Sequence, residues 1–169
     1  ITCNGTFTLQ SSTTKYNLSS YTHQTIGASD INEEMEISAG TYDADGDFDA
    51  TGGEIDFTGN GRLQLAGTVT SLATLSTDNG TVEYDGGTQS VLADTYYNLE
   101  IDQSGNKTTD GTVSTEGDIN ILGGTLDING NSLYCAGNFS NAGSLISPST
   151  ATFYLDGNGA NTNLGGFSD

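Results

Sequence analysis

The chain has 169 residues, 24 of them glycine, and a formal net charge of −19, because 22 acidic residues face only the three basic residues Lys15, Arg62 and Lys107. This balance excludes nucleic acid and anionic membrane surfaces as partners, since phosphate binding requires clustered Lys and Arg. No stretch has the length and apolarity of a transmembrane helix, so we expect no membrane insertion.

The chain begins with short segments in which apolar and polar residues alternate, at residues 5–9 and 16–18. About ten extra residues, around 22–36, then precede the first long repeat. They contain the single histidine, His23, which we expect in a surface loop. Residues 31–37 are the one place where the apolar spacing approaches that of a helix. Elsewhere the period-two alternation predicts strands.

Residues 40–60 return as residues 111–131, and every glycine keeps its place at an offset of 71. The match continues after one deletion, from residues 62–67 to residues 132–137. We therefore predict one domain with internal repeats at about 5–79 and 80–151 and a partial copy at 152–169.

Within each repeat, strands recur every six or seven residues and end at Gly or Asn, which form corners at little steric cost. Three such strands make a coil of roughly 20 residues, and stacked coils make a solenoid. We predict an all-β fold, a parallel β-solenoid (β-helix) of about eight short coils. The alternative is a β-sandwich, although its strands would be spaced nearer to ten residues apart.

Residues 80–92 (GTVEYDGGTQSVL) and 96–101 (YYNLEI) resemble the repeat of large secreted bacterial surface proteins. The resemblance covers residues 80–157 well and residues 5–67 more loosely. It implies a parallel β-solenoid that serves as an extracellular stalk, adhesin or fibre element, and it carries no catalytic residue. Together with the scarcity of Lys and the abundance of Thr, Asn and Gly, it indicates a secreted protein at the cell surface.

Four aspartates alternate along the first repeat, and a glutamate follows them. They are Asp43, Asp45, Asp47, Asp49 and Glu54. Their spacing is that of the oxygen ligands in an EF-hand loop, but Phe48 stands where that loop requires glycine. If Tyr42, Ala44, Phe48 and Ala50 point to the core, the four aspartates line one outward face. Two interpretations stay open: a solvated acidic face, or a weak Ca²⁺ site that relieves the repulsion. Apart from Ca²⁺ we expect no cofactor.

The chain contains two cysteines and five N-glycosylation sequons, and both features matter if the protein is secreted. Cys135 replaces Leu65 of the first copy and should point inward, whereas Cys3 lies in the first predicted strand. The 132 residues between them span about six coils, too far for a disulfide within one straight stack. They are either free thiols or a bridge between Cys3 of one subunit and Cys135 of the next. Glycosylation is permitted at the five sequons: Asn4, Asn17, Asn79, Asn106 and Asn138.

We expect no enzyme, because one histidine and three scattered basic residues fit neither a triad or zinc site nor a uronate lyase. Both ends of the chain interrupt a repeat, which predicts either an excised stalk module or a subunit that stacks head to tail on copies of itself. The alternative is a surface module that binds carbohydrate or calcium. It would use the face of residues 43–49 or the tyrosines Tyr16, Tyr21, Tyr42, Tyr96 and Tyr97.

Overall fold

The structure, a computed structural model, describes residues 1–10, 15–76 and 78–155, and the backbone of residues 167–168. Most of the predicted partial copy, at 156–166 and 169, lies outside the described residues. The all-β prediction is confirmed, and the stacked parallel strands form a β-solenoid of about seven turns, close to the eight predicted. The parallel pairing excludes the β-sandwich.

The chain divides into two compact units, Ile1–Glu83 and Tyr84–Asp169. Among its described residues the first unit contains thirteen short strands, of which the last extends one residue past the unit boundary. They are β1 (Thr2–Cys3), β2 (Phe7–Leu9), β3 (Tyr16–Leu18), β4 (Thr22–Thr25), β5 (Ser29–Ile31), β6 (Glu34–Ile37), β7 (Thr41–Ala44), β8 (Phe48–Asp49), β9 (Glu54–Phe57), β10 (Arg62–Leu65), β11 (Val69–Ser71), β12 (Thr74–Leu75) and β13 (Thr81–Tyr84).

Every third strand of the first unit joins the same parallel sheet. Within this unit the strands follow the orders β1-β4-β7-β10-β13, β2-β5-β8-β11 and β3-β6-β9-β12. Leu63 pairs with Tyr42 and Leu65 with Ala44, and all four side chains are fully buried. Because alternate residues point inward and turns stack in register, like side chains form rows along the core. Each buried Leu or Tyr in such a row contributes about 1.5–3 kcal/mol.

The second unit repeats this arrangement with twelve further strands. They are β14 (Gln89–Val91), β15 (Thr95–Tyr96), β16 (Asn98–Ile101), β17 (Asn106–Thr109), β18 (Val113–Thr115), β19 (Ile119–Ile121), β20 (Thr125–Asp127), β21 (Ser132–Cys135), β22 (Phe139–Asn141), β23 (Ser144–Ile146), β24 (Thr152–Leu155) and β25 (Phe167–Ser168). Within this unit the described strands follow the orders β16-β19-β22, β14-β17-β20-β23-β25 and β15-β18-β21-β24. Leu99, Ile119 and Phe139 form one of its inward rows.

Glycines stack at the corners between strands, which explains why the repeat conserves their spacing within this chain. A Cβ added at Gly27 would lie 2.4 Å from the carbonyl oxygen of Gly5, and one at Gly46 would lie 2.2 Å from that of Gly27. Real Cβ atoms essentially never approach so closely. At Gly27 and Gly46 the corner between the first and second strands of the turn therefore accepts only glycine.

The extra residues of the first copy form a whole turn rather than a loop. They contain β4, β5 and β6, so the helical interpretation of residues 31–37 is wrong: Met35 and Ile37 point inward and Glu34 and Glu36 outward. The prediction of a surface histidine is also wrong. His23 pairs in register with Tyr42, is buried against its ring at a centroid distance of 5.1 Å, and bonds the Tyr16 hydroxyl through Nδ1. Burial, reinforced by the terminal ammonium, lowers its pKa.

Candidate functional site

The five predicted calcium ligands do not share a face. Asp43 lies on β7, Asp49 on β8 and Glu54 on β9, and these strands belong to three different sheets. The chain turns a corner at Asp45 and Gly46, where the sequence pattern suggested an uninterrupted strand. The expected single outward face is therefore wrong, although the expected inward residues, Tyr42, Ala44, Phe48 and Ala50, are all buried.

Three of these carboxylates accept hydrogen bonds from the protein. Asp47 Oδ1 accepts the backbone N–H of Thr68 at 2.9 Å, and Asp49 Oδ1 accepts both the N–H and the hydroxyl of Thr51, at 2.9 and 2.6 Å. Asp45 accepts from the Gln24 amide at 3.0 Å. Asp45 and Asp47 thus bridge neighbouring turns, and Asp49 closes a corner within its own turn, structural roles that the alternating pattern did not indicate.

Asp43 differs from the other aspartates in its electrostatics. Partial burial, followed by the charges of Asp45 and Glu83, raises the pKa of its carboxyl group. On the neighbouring strand β10, Arg62 Nη1 donates to Glu83 Oε2 at 2.5 Å, and the Gln64 amide donates to the same oxygen at 2.8 Å. Because Glu83 is buried, this ion pair supplies the counter-charge that its burial requires.

A different group of carboxylates comes together, on the outward face of β6 and β9. The oxygens of Glu34, Glu36 and Asp56 lie within 4.8 Å of one another, the one such group of three among the described residues. Glu36 and Asp56 are directly paired across the two strands. The group is not evident from the sequence because its members come from different turns; the two outward glutamates of β6 are the signal that the sequence offers.

The group of Glu34, Glu36 and Asp56 already has a positively charged neighbour, the side chain of Lys15. The Lys15 ammonium pairs with Glu34 and lies 3.9 Å from a Glu36 oxygen, and the Asn17 amide also donates to Glu36. Asn17, Glu36 and Asp56 form one outward row across β3, β6 and β9. Lys15 thus relieves the repulsion that a divalent ion would otherwise relieve.

The two cysteines are free thiols in different environments. Cys135 is fully buried on β21, as predicted, with its sulfur 3.5 Å from the carbonyl oxygen of Asn138. Burial raises the pKa of this thiol, which lowers its reactivity. Cys3 on β1 is partly exposed. A bridge between subunits stays a prediction, and it would require Cys135 to leave the core.

The five sequons differ in accessibility. Asn4, Asn17 and Asn79 are exposed, but the Asn17 amide is engaged by Glu36. Asn106 and Asn138 are partly buried, and the Asn138 amide donates to Asp118 at 3.0 Å. Glycan attachment needs a free amide, so Asn4 and Asn79 fit it best.

The tyrosines chosen for sugar binding are mostly in the wrong place. Tyr42 and Tyr96 are fully buried, and Tyr16 is partly buried beside His23. Tyr21 is exposed. Among the described residues, the other exposed tyrosines are Tyr134 and Tyr154, whose rings stack on each other at a centroid distance of 4.4 Å. The alternation of inward and outward side chains along a strand identifies both tyrosines as outward residues of β21 and β24. Their pairing, however, depends on the register between turns.

Comparison with protein-family models, curated proteins and solved structures finds no match to this chain. The fold is therefore established by the strand pairing itself. In the described ranges, no helix is long and apolar enough to cross a membrane.

Proposed function

We propose that this chain is an extracellular structural protein whose turns extend end to end, as a self-assembling filament subunit or as a stalk segment of a cell-surface adhesin. The extracellular location is supported by the resemblance of residues 80–101 to secreted surface repeats. The observation that carries the proposal is the edge of the first turn, where β1, β2 and β3 are the outermost strands of their sheets among the described residues.

The backbone of β2 offers hydrogen-bonding groups on its outer side. The Phe7 N–H donates to the Ala28 carbonyl at 2.9 Å, and the Leu9 carbonyl accepts from the Asn32 N–H at 3.0 Å, so both residues face β5. Successive residues of a strand direct these groups to opposite sides. Thr8 therefore points its N–H and C=O away from β5, toward the position of a further parallel strand.

The apolar side chains of the first turn are also incompletely covered. Leu9 and Tyr16 are partly exposed, whereas their register partners in the next turn, Ile31 and Met35, are fully buried. A further turn stacked on this edge would bury them in the same way. A second copy of the chain supplies such a turn, in a heterologous contact that propagates as a fibre.

Charge favours growth along this direction over association through the sides. The outward face of β6 and β9 carries Glu34, Glu36 and Asp56, and the whole chain has a net charge of −19. Like charges repel when side faces approach, whereas an edge contact is made by backbone groups and apolar side chains.

The proposal is tested by electron microscopy of the purified full chain at rising concentration, where we expect unbranched fibres. The Thr8→Pro variant removes the outward N–H, so it should form few or no fibres while its stability changes by less than about 1 kcal/mol. Thr8→Val is the matched control, because it keeps the N–H and should form fibres as the wild type does. Uniform monomers of the wild-type chain at high concentration, or equal assembly of the Pro and Val variants, would contradict end-to-end stacking through this edge.

A further inference from the structure

We propose that the outward face of the sheet β15-β18-β21-β24 binds a neutral polysaccharide, with Tyr134 and Tyr154 as its stacking residues. This proposal does not depend on the filament proposal. The face consists of outward side chains of the second unit, whereas the filament contact is made by the edge strands β1, β2 and β3 of the first unit. The face is defined by the outward residues Thr95, Ser114, Ser132, Tyr134, Thr152 and Tyr154.

The two tyrosines form a prearranged aromatic surface. They pair in register on β21 and β24, and their rings are parallel, with an interplanar angle of 0°. They are nevertheless 37 % and 45 % exposed, among the most exposed large apolar side chains described. Stacking on each other holds both rings upright from the sheet at little further entropic cost, which favours a ligand that contacts rings.

The row that contains these tyrosines leaves one ring face uncovered. On the side away from Tyr154, the register partner of Tyr134 is Ser114 on β18, and the next is Thr95 on β15. Strands in a sheet are about 4.8 Å apart. A serine side chain is much shorter than a tyrosine ring, so the outer part of the Tyr134 face stands open above Ser114. The apolar C–H face of a pyranose ring is suited to such a surface.

Hydroxyl groups flank the open ring face. Ser114 and Thr95 lie along the same row, and Ser132 and Thr152 form a second row of paired residues beside the tyrosines. A hydroxyl group both donates and accepts hydrogen bonds, as a sugar hydroxyl does. The tyrosine rings suit the C–H face of a sugar, and the serine and threonine hydroxyls suit its equatorial hydroxyl groups. Together they match the chemistry of a sugar.

Charge decides which class of polysaccharide fits. The strands β15, β18, β21 and β24 contain no charged residue, in a chain whose net charge is −19. Asp94 and Glu116 lie just outside the strands. A polyuronate would meet repulsion and no basic partner here, whereas a neutral glucan meets neither. A second copy of the same face would bring two strongly acidic chains side by side, so it fits less well.

The test is isothermal calorimetry of the full chain with cellohexaose, a neutral glucan, and with hexagalacturonate as the charged probe. We expect saturable binding of cellohexaose alone, and affinity about tenfold lower in Tyr134→Ala and in Tyr154→Ala. Tyr134→Phe keeps the ring and should stay within about twofold of the wild type. Tyr21→Ala removes a tyrosine that is 65 % exposed elsewhere, and it should bind as the wild type does.

Several results would overturn the proposal. They are the absence of saturable cellohexaose binding, tighter binding of hexagalacturonate, unchanged affinity in the Ala variants, and equal losses in Tyr21→Ala. Thermal unfolding of each variant shows whether the fold is intact, and if one Ala variant does not fold, the other Ala variant gives the decision. Sedimentation is run in parallel: if Tyr134→Ala abolishes self-association and the wild type binds no glucan, the tyrosine pair is a contact between copies and the proposal is wrong.

Discussion

At the scale of single residues, the second unit buries two tyrosine hydroxyl groups that form a hydrogen bond with each other. The hydroxyls of Tyr84 and Tyr96 lie 3.1 Å apart, and Tyr96 donates to the Leu92 carbonyl at 2.7 Å. Burial raises the pKa of Tyr84 to about 12 and raises that of Tyr96 well above 10. Both groups therefore stay protonated in the folded chain at a pH where an unfolded chain would release their protons.

This difference predicts a loss of stability in alkali. Because the folded pKa is above the unfolded value, the contribution is fully present below about pH 10 and falls as the pH rises through about 12. For Tyr84 the shift corresponds to roughly 2–3 kcal/mol. Urea unfolding between about pH 9 and pH 12 should show a shallower decline for Tyr84→Phe than for the wild type. Tyr21→Phe is the control for an exposed phenol, and identical slopes in all three proteins would refute the argument.

The direction of single side chains was predictable wherever the local alternation was regular. Phe48 and Cys135 point inward as the period-two pattern requires. The segment with His23 has no counterpart in the second copy, so the comparison of copies predicts a loop there, although the alternation of His23 with Thr25 indicates a strand. Tyr42 and Tyr96 are proposed as ligand-binding residues by type alone, although the alternation already places Tyr42 toward the core and places Tyr96 there as well.

At the scale of elements, similar sequence segments occupy different sheets. β7 aligns with β18 at the offset of 71 residues, but β7 joins β4 and β10 whereas β18 joins β15 and β21. The similarity between the two segments therefore reflects the residue pattern of a strand with glycine corners. A strand with this pattern can join any sheet of the solenoid. This is why the repeat predicted the strands well and their neighbours poorly.

The glycine corners give a prediction at this scale. In Gly46→Ala the new methyl group would lie 2.2 Å from the Gly27 carbonyl oxygen, so the two turns must separate. We expect a loss of about 1–3 kcal/mol in the free energy of unfolding, or a chain that does not fold. Gly87→Ala is the matched control, because a Cβ there meets nothing within 4 Å. Equal stabilities of the two variants, measured by urea unfolding, would show that corner packing does not limit the spacing of turns.

At the scale of the whole molecule, the fold class was predictable because a solenoid applies one local rule many times. Its surface sites were not, because they join residues of different turns. Asn17 pairs with Glu36 and Glu36 with Asp56, separations of 19 and 20 residues. While the turn length varies, the sequence cannot fix which outward residues become neighbours, and a shift of one residue moves a side chain to the opposite face.

The first glycine corner offers the sharpest test of assembly. At Gly27 and Gly46 the Cβ direction points toward the preceding turn, and both positions are closed by its carbonyl oxygen. Gly5 occupies the equivalent corner of the first turn, and a Cβ there meets nothing within 4 Å of the described atoms. A further turn that stacked on β1, β2 and β3, as the filament proposal requires, would bring a backbone to this position.

We therefore predict that Gly5→Ala separates folding from assembly. The methyl group meets open space within the chain, so the free energy of unfolding should change by less than about 0.5 kcal/mol. In a stacked copy it would obstruct the incoming corner as alanine would at Gly27, so fibres seen by electron microscopy should become rare or short. Gly87→Ala is again the control and should assemble normally. Fibres of normal length from Gly5→Ala would mean that copies do not extend the solenoid through this edge, because a continuous stack leaves no room for the methyl group.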